Sequence, residues 1–250
     1  NKLDAMRRDF VANVSHEIRT PLTVVSGYIE TLIDLDLPRE ETITHLAAAR
    51  KQAVTMQRLL EDLLTLSSLE NASNRPPDQE FELEPLLRSL LSDARTLSAG
   101  RHAIDLLIDK PVRLRGAPSE IESAVRNLLT NAIRYTPQGG RINMSWTLRA
   151  RAGHLTVEDT GIGIAPEHLP RLTERFYRVD RGRSRETGGT GLGLAIVKHI
   201  AQRHDATLQF DSVLGKGTRF TLVIPLERVL PSAGGTPQDE TATAGNDRRG

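Results

Sequence analysis

The 250-residue chain contains no cysteine, few aromatic residues and no excess of charge of either sign. The absence of cysteine excludes disulfides, zinc–thiolate sites and thiol nucleophiles. Aromatic residues make up only 4% of the chain, so its cores must be aliphatic. The 33 basic residues are balanced by 32 acidic ones, which argues against the broad basic surface of a general nucleic-acid binder and against a highly charged disordered chain. No apolar run approaches the roughly 18–20 residues needed to span a bilayer.

Two stretches near the N-terminus have the apolar spacing of amphipathic helices. Between residues 3 and 33, apolar residues recur in steps of three and four, which predicts a helix with one apolar face. The segment 34–39 interrupts the pattern, which resumes between residues 46 and 63. Two such helices form an antiparallel hairpin, which has too few layers to bury its apolar stripe. A homodimer through residues 3–68, forming a four-helix bundle, is the simplest way to cover that stripe.

The region beyond residue 80 mixes helical and strand patterns. Helices are predicted at 84–98, 119–135 and 191–204, and strands at 102–108, 112–115, 141–149, 154–158, 207–212 and 218–225. About six strands, most of them joined by hairpins, predict an α/β layer.

Composition divides the chain into four parts. The segment 70–80 is polar and contains two prolines, which is typical of a linker. We therefore expect a helical domain at 1–69, a linker at 70–80 and an α/β domain at 81–228. No large apolar residue follows Leu230, so 229–250 is predicted to be a disordered tail.

His16 lies in the segment VSHEIRTPL, two residues from Val14 and Ile18, and therefore points away from the apolar face. An ordinary exposed histidine is the simpler interpretation. The alternative is a nucleophile, because the carboxylate of Glu17 could hold one ring nitrogen and leave the other free to attack. Pro21 costs the helix a backbone hydrogen bond and bends it beside this pair.

Two glycine clusters lie in the second region, DTGIGIAP at 159–166 and GGTGLGLAIV at 188–197. Both fit ordinary turns. Glycine also lets a backbone approach a ligand closely, and the second cluster leads into a helix whose free amides would suit a phosphate. Neither cluster has the spacing of a P-loop or of a dinucleotide-binding motif. Asp159, at the end of a strand, could cap its turn or accept a hydrogen bond from an adenine amino group.

Amides and arginines add two further candidates. Asn127 and Asn131 are four residues apart on one helix face, where they either meet solvent or offer carbonyl oxygens to Mg²⁺. The segment 171–185 is a solvated charged loop or one that closes over a triphosphate; DNA contact is the weaker interpretation. Its six arginines are Arg171, Arg175, Arg178, Arg181, Arg183 and Arg185. His199 and His204 are five residues apart and are predicted to lie at the surface.

Taken together and in this order, the motifs resemble those of bacterial sensor histidine kinases. FVANVSHEIRTPL resembles the phosphoacceptor box of that family, and NLLTNAIRYTPQGG resembles its asparagine box. VEDTGIGIAPEHLPRLTERFYRVD resembles the first glycine box and the phenylalanine box, GGTGLGLAIVKHI the second glycine box, and GKGTRFTLVIP the closing strand pair. Five boxes in one order, over residues 5–226, are far more specific than any one box. PRLTERFYRVD and GLGLAIVKH look most like the phosphate-regulon branch.

The resemblance implies a fold and a set of roles. A helical-hairpin dimerisation domain, forming a four-helix bundle in the dimer, would precede an α/β-sandwich ATP-binding domain of the histidine kinase, gyrase and chaperone type. His16 would be the phosphoacceptor and Glu17 would orient or deprotonate it. Thr20 would position water when the enzyme dephosphorylates its partner.

The resemblance also implies a nucleotide site that uses ATP with Mg²⁺. Asn131 would be the main Mg²⁺ ligand, with Asn127 nearby. Asp159 would read the adenine amino group, with Gly161 and Gly163 leaving room for the ring. The other implied ATP contacts, to the phosphates and the adenine, are Arg134, Tyr135, Arg178, Gly189, Thr190, Gly191, Leu192 and Gly193.

The implied activity is autophosphorylation of His16 from ATP and transfer to an aspartate of a response regulator, with phosphatase activity toward that regulator, in phosphate-starvation signalling. No nucleic-acid partner is expected. The sequence opens at Asn1, without methionine and inside a helical pattern, so we expect the cytoplasmic portion of a bacterial inner-membrane protein, attached through N-terminal segments not included here. Two other classes stay open: an ATP-driven clamp, as in type II topoisomerases or heat-shock chaperones, and a non-catalytic scaffold that binds nucleotide as a switch.

Overall fold

The computed structural model describes residues 2–71, 76–149, 151–179 and 189–232, with side chains from residue 11 onward. Two long helices open the chain, α1 (Lys2–Asp34) and α2 (Arg39–Glu70), and they pack against each other as the expected hairpin. A four-residue connection ending at Pro38 separates them. Within the described ranges, no helix is long and apolar enough to cross a membrane.

Helix α1 continues through Pro21, which is buried. Proline has no N–H to donate, so one carbonyl in the preceding turn loses its usual helical partner. The hydroxyl of Thr20 donates to the His16 carbonyl at 3.2 Å, and that of Thr23 donates to the Arg19 carbonyl at 3.0 Å. Such bonds to the carbonyl four residues earlier tend to bend helices. The turn of α1 that follows His16 therefore lacks one regular backbone hydrogen bond.

The apolar face of the hairpin is covered only in part. Leu59, Leu66 and Leu69 of α2 are buried and belong to the core shared with the second domain. Many other apolar side chains of the two helices are exposed: Val11, Ile18, Leu22, Val24, Ile29, Ile33, Ile43, Leu46, Val54, Leu60 and Leu64.

The described residues of the second domain form three helices and eight strands. The helices are α3 (Leu83–Ser98), α4 (Pro118–Tyr135) and α5 (Gly193–Arg203). The strands are β1 (Gln79–Glu82), β2 (Ala103–Ile108), β3 (Val112–Gly116), β4 (Arg141–Arg149), β5 (Ala152–Asp159), β6 (Thr207–Val213), β7 (Gly217–Pro225) and β8 (Val229–Pro231). Two 3₁₀ turns, Pro166–Arg171 and Leu226–Arg228, complete the described elements.

Five strands form the main sheet in the order β2-β4-β5-β7-β6. Strand β2 pairs with β4 in parallel, and the other neighbours are antiparallel. Alternate side chains of β4, β5 and β7 point to the helices, so Trp146, Leu155 and Leu222 are almost fully buried. Gly153 makes room for this core, since a Cβ there would lie 2.0 Å from the Trp146 ring. The helical hairpin followed by an α/β domain confirms the predicted fold class.

Two details of the predicted strand arrangement were wrong. The consecutive strands predicted at 102–108 and 112–115 do not form a hairpin, because β2 and β3 belong to different sheets. Strand β3 instead lies between β1 and β8 in a three-stranded antiparallel sheet. The described residues form eight strands in two sheets instead of the expected layer of about six strands. Sequence periodicity can identify a strand, but it carries no information about which strand pairs with it.

The small sheet also corrects the predicted domain limits. Strand β1 begins inside the segment taken as linker, and β8 lies inside the segment taken as tail. The side chain of Arg113, in β3, helps to hold β8 in the sheet, because its Nε donates to the Pro231 carbonyl at 3.1 Å. Ser232 donates to Glu82 at 2.8 Å. The rest of the predicted tail, 233–250, lies outside the described residues.

His204 is buried rather than at the surface, being only 3% exposed. Its Nε2 accepts a hydrogen bond from the backbone N–H of Ala117 at 3.0 Å, where α4 begins, and its Nδ1 is 2.8 Å from the Ile200 carbonyl. Burial lowers the pKa of His204, which favours the uncharged ring, and only the uncharged ring can accept this hydrogen bond at Nε2. A Cβ at Gly116 would lie 2.6 Å from the ring. His204 thus caps a helix that lacks a side-chain cap at its own start.

Truncation after Arg228 should lower the free energy of unfolding of the second domain by about 2 kcal/mol or more, because β8 supplies several ladder hydrogen bonds worth roughly 0.5–1.5 kcal/mol each. Truncation after Ser232 keeps β8 and should leave stability unchanged. Urea unfolding of the two truncated chains beside the full chain measures the difference. Equal midpoints for the two truncations would contradict a structural role for β8.

Candidate functional site

The predicted nucleotide residues come together in one cleft of about 610 Å³, bounded by α4, the loops after β5, the start of α5 and part of α2. The predicted residues in its lining are Asn127, Asn131, Arg134, Tyr135, Asp159, Gly163, Arg178, Gly189, Thr190, Gly191 and Gly193. Gly161 and Leu192 are buried next to lining residues in the sequence. The other three predicted residues, His16, Glu17 and Thr20, lie on α1.

Asp159 ends strand β5 at the bottom of a tight turn. Its Oδ1 accepts a hydrogen bond from the Gly161 N–H at 2.8 Å. Burial raises the pKa of Asp159, while hydrogen bonds from the backbone N–H groups of Gly161 and Thr218 act in the opposite direction. A Cβ at Gly161 would lie 2.6 Å from both this oxygen and the Tyr135 carbonyl. The turn therefore requires glycine, and it fixes a single buried carboxylate against the end of α4.

Apolar side chains adjoin this carboxylate in the cleft. Ile162, Leu172 and Phe220 all contribute to the lining. Gly163 has a φ of +67°, and a Cβ there would lie 2.1 Å from the Val213 carbonyl, so the chain can follow this path only as glycine. A buried acceptor beside apolar surface is the arrangement expected for a flat heterocycle that carries an amino group.

The asparagine pair of α4 faces the start of α5. Asn127 donates from Nδ2 to the Ser123 carbonyl at 2.9 Å, and a Cβ at Gly193 would lie 2.6 Å from its Oδ1. Asn131 lines the cleft and is half-buried. Among the described residues, no group of three or more acidic or histidine side chains could hold a metal ion. Two amide oxygens nevertheless fit Mg²⁺, which is commonly held by few protein oxygens together with phosphates and water.

Positive charge is concentrated in another part of the cleft. Arg58 of α2, Arg134 of α4 and Arg178 all line it. Burial lowers the pKa of Arg134, and the charges of Arg58 and Arg178 lower it further. Gly189 lies against this group, because a Cβ there would be 3.0 Å from Arg134 Nη1. A polyanion bound at this point would offset the mutual repulsion of the guanidinium groups.

Thr190 has a partner that the sequence did not indicate. Its hydroxyl donates to Asp62 Oδ2, in α2, at 2.6 Å, and it accepts a weaker bond from the Leu192 N–H at 3.3 Å. Burial raises the pKa of Asp62. Asp62 belongs to the predicted dimerisation helix and has no motif of its own, so no local pattern could have linked it to the second glycine cluster 128 residues later.

Helix α1 reaches the cleft through Glu17. Its Oε2 lies 3.4 Å from Nη2 of Arg178, whose side chain is only 10% exposed. His16, the preceding residue, is exposed, in agreement with its predicted direction. Thr20 lies one turn further along and bonds to the His16 carbonyl. The phosphoacceptor candidate is therefore next to a residue that pairs with the cleft wall.

The arginine-rich segment is described only in part, since Arg181, Arg183 and Arg185 lie outside the described residues. Arg171 stacks on Tyr177, with 4.3 Å from its Cζ to the ring centroid. Arg175 pairs with Glu70 of α2. The first half of the segment is thus a set of specific contacts as well as charge.

Phe176 was not singled out by the sequence reasoning. It has a φ of +62°, unusual for a bulky residue. Its N–H donates to the Gly191 carbonyl at 2.9 Å, and a Cβ at Gly191 would lie 2.9 Å from its Cα. The two loops that flank the cleft therefore touch through their backbones. Gly191, with a φ of +72°, precedes α5, which begins at Gly193, two residues later than predicted.

Two family models match the chain. Residues 6–72 match the His Kinase A (phospho-acceptor) domain. Residues 116–228 match the Histidine kinase-, DNA gyrase B-, and HSP90-like ATPase. The two matches cover the hairpin and the cleft, in the order that the motifs predicted. The chain belongs to the sensor histidine kinases, with a phosphoacceptor domain followed by an ATPase domain.

Two relatives indicate which sensor histidine kinases this chain resembles. The phosphate regulon sensor protein PhoR of Pseudomonas aeruginosa is 52% identical over 224 residues, covering 88% of this chain and 50% of that protein. PhoR of Haemophilus influenzae is 37% identical over 224 residues, covering 90% of this chain and 52% of that protein. The chain therefore spans about half the length of these relatives. It is a PhoR-like sensor histidine kinase sequence, and the phosphate-regulon resemblance is confirmed at this level.

A solved structure agrees in fold. The histidine kinase AdeS of Acinetobacter baumannii has a TM-score of 0.68 at 28% identity, covering 84% of this chain and 97% of that one. The phosphoacceptor match also separates this chain from the topoisomerase and chaperone clamps that share its ATPase module.

Replacing Gly161 by alanine should weaken ATP binding by about tenfold to a hundredfold, because displacing a binding group by about 1 Å can have effects of that size. The added methyl group would force Asp159 or the Tyr135 carbonyl to move. Gly27→Ala is the matched control, since nothing lies within 4 Å of a Cβ at that position. Calorimetric titration with ATP and Mg²⁺ measures the effect, and equal affinities for the two variants would contradict the proposed tight turn.

Proposed function

We propose that the protein transfers the γ-phosphoryl group of ATP to His16 and then to an aspartate of a response regulator. The observation that carries this proposal is the contact between Glu17, next to the exposed His16, and Arg178 in the wall of the cleft. It brings the acceptor helix to the arginine-containing part of the nucleotide site. Phosphoryl transfer depends mainly on alignment and charge neutralisation, and this arrangement offers both.

The nucleotide would bind with its adenine at Asp159 and its phosphates at the arginines. Asp159 would accept a hydrogen bond from the adenine amino group, with Gly161 and Gly163 leaving room for the ring. The residues assigned to the remaining ATP contacts are Arg134, Tyr135, Arg178, Gly189, Thr190, Gly191, Leu192 and Gly193. Asn131, with Asn127 nearby, would hold Mg²⁺, which when bound neutralises phosphate charge.

His16 would act as the nucleophile. One ring nitrogen bonds to the γ-phosphorus while the bond from that phosphorus to the β–γ bridging oxygen breaks, so ADP leaves with the electron pair. The other ring nitrogen then gives up its proton, and Glu17 would orient the ring or accept that proton. A carboxylate of the response regulator takes the phosphoryl group and restores His16. In the reverse role, as a phosphatase, Thr20 would position the water that attacks the phosphorylated regulator.

The exposed apolar residues of α1 and α2 support a homodimer through residues 3–68. Ile33 is 75% exposed and Leu64 is 63% exposed in the single chain, and many exposed apolar side chains on one pair of helices are typical of an interface. A second hairpin placed against it would form a four-helix bundle. The phosphoacceptor-domain match to the same residues agrees with this arrangement.

The biological setting follows from the relatives rather than from the site. Identity of 52% to a phosphate regulon sensor protein supports a role in phosphate-starvation signalling. We assign the chain to the cytoplasmic portion of a bacterial inner-membrane protein, with a response regulator as its partner.

Replacing His16 by glutamine should abolish self-labelling from γ-labelled ATP while leaving ATP binding unchanged, because the cleft residues lie on other elements. The label on the unmodified protein should be lost in acid and survive alkali, as expected for phosphohistidine. His154→Gln is the matched control, since His154 lies on β5, outside the cleft lining. Label that persists in His16→Gln, or that resists acid, would contradict the histidine-kinase chemistry.

Replacing Asn131 by alanine should reduce self-labelling by about a hundredfold or more, the usual size for loss of a group that stabilises transferring charge. The domain should still unfold cooperatively, because Asn131 is only half-buried. Asn143→Ala, on β4 and away from the cleft lining, is the control. Labelling rates should be compared across a series of Mg²⁺ concentrations. A near-normal rate at low Mg²⁺ would remove Asn131 from the metal site.

A further inference from the structure

Three carboxylates of the helical hairpin contact the second domain around the cleft. Glu17 pairs with Arg178, Asp62 accepts from Thr190, and Glu70 pairs with Arg175. Glu17 already has a role beside His16 in the proposed reaction, and Glu70 forms an ordinary surface ion pair with Arg175. Asp62 has no role in that chemistry, yet it lines the nucleotide cleft and is half-buried there.

Asp62 faces a mixed group of charges. Arg134 and Arg58 favour its ionised form, whereas burial and the nearby Glu61 oppose it. Its hydrogen bond from the Thr190 hydroxyl, at 2.6 Å, has the usual length for a hydroxyl that donates to a carboxylate. That hydroxyl has one proton, so it can donate to one acceptor at a time. A carboxylate therefore holds the donor that the proposed site assigns to a phosphate.

Both acceptors cannot be satisfied together. A nucleotide phosphate that took the Thr190 proton would also bring negative charge close to an ionised Asp62 in a partly desolvated cleft, where repulsion is stronger than in water. Adenosine has no phosphate and would not meet this conflict. The conflict therefore depends on the phosphates alone.

We propose that Asp62 is a further residue of the nucleotide site, supplied by the helical hairpin, and that it competes with the nucleotide phosphates for Thr190. This inference rests on the proposed location of those phosphates. Binding of ATP then breaks the contact between α2 and the second glycine cluster, whereas binding of adenosine leaves it in place. The hydrogen bond between Thr190 and Asp62 of the hairpin is therefore present only when no phosphate occupies this part of the cleft.

The test compares ATP, ADP and adenosine as ligands of the full 250-residue chain. Asp62→Ala should tighten ATP binding by about tenfold, the value of one hydrogen bond of roughly 1.4 kcal/mol. ADP should gain less, and adenosine should bind as before. Glu41→Ala is the matched control, because Glu41 is an exposed carboxylate near the start of the same helix and lies outside the cleft lining; the ATP affinity of this variant should change less than about twofold.

Thr190→Val provides the second arm. In that background the competition is already absent, so adding Asp62→Ala should give no further gain in ATP affinity. Asp62→Asn, which keeps the size of the side chain, replaces Asp62→Ala if the alanine variant does not fold, and it should tighten ATP binding in the same direction.

Unchanged or weaker ATP binding on removal of the Asp62 carboxylate would overturn the inference. An equal gain for adenosine would also overturn it, because the effect would then not involve the phosphates. Failure of the unmodified chain to bind ATP at all would instead contradict the proposed nucleotide site, so the two failures are distinguishable.

Discussion

Partly buried positive charge governs the arrangement of the cleft. Arg58, Arg134 and Arg178 share one small volume, and burial together with their mutual repulsion lowers the pKa of Arg134. Guanidinium groups in such a place need anions. The protein offers Glu17 and Asp62 from the hairpin, and the proposed substrate offers a triphosphate. The same group of positive charges therefore contacts the phosphoacceptor helix through Glu17 and is the proposed location of the nucleotide phosphates.

Much of the architecture was predictable because local sequence patterns indicate the helices and strands. Helical spacing located α1 within one residue at each end and identified the middle of α2, and alternation located β4 without error. The glycine clusters also indicated the cleft, since Gly161 and Gly163 are required by contacts that any Cβ would violate. These positions combine a local conformation with a motif, so one sequence suffices to find them.

The features that were missed depend on distant partners. His204 appeared to be a surface residue because its role as the cap of α4 involves Ala117, 87 residues earlier. Asp62 had no motif, and its partner lies in the other domain. The strand β8 is three residues long and its strand partner, β3, lies more than 110 residues earlier in the chain. Spacing within a segment cannot reveal such pairs, whereas a fold that brings the segments together does.

The three-stranded sheet has a consequence for how the ATPase domain is joined to the rest of the chain. Its outer strands, β1 and β8, are the first and last described strands of the domain, and both pair with β3. The hydrogen bond from Ser232 to Glu82 joins the residue after β8 to the last residue of β1. Strand β1 starts opposite Gly116 and β8 ends opposite Val112, so the polypeptide enters and leaves the domain at opposite ends of β3. Both ends of the ATPase domain are thus anchored to the same strand, so a displacement of the chain at either end acts first on β3.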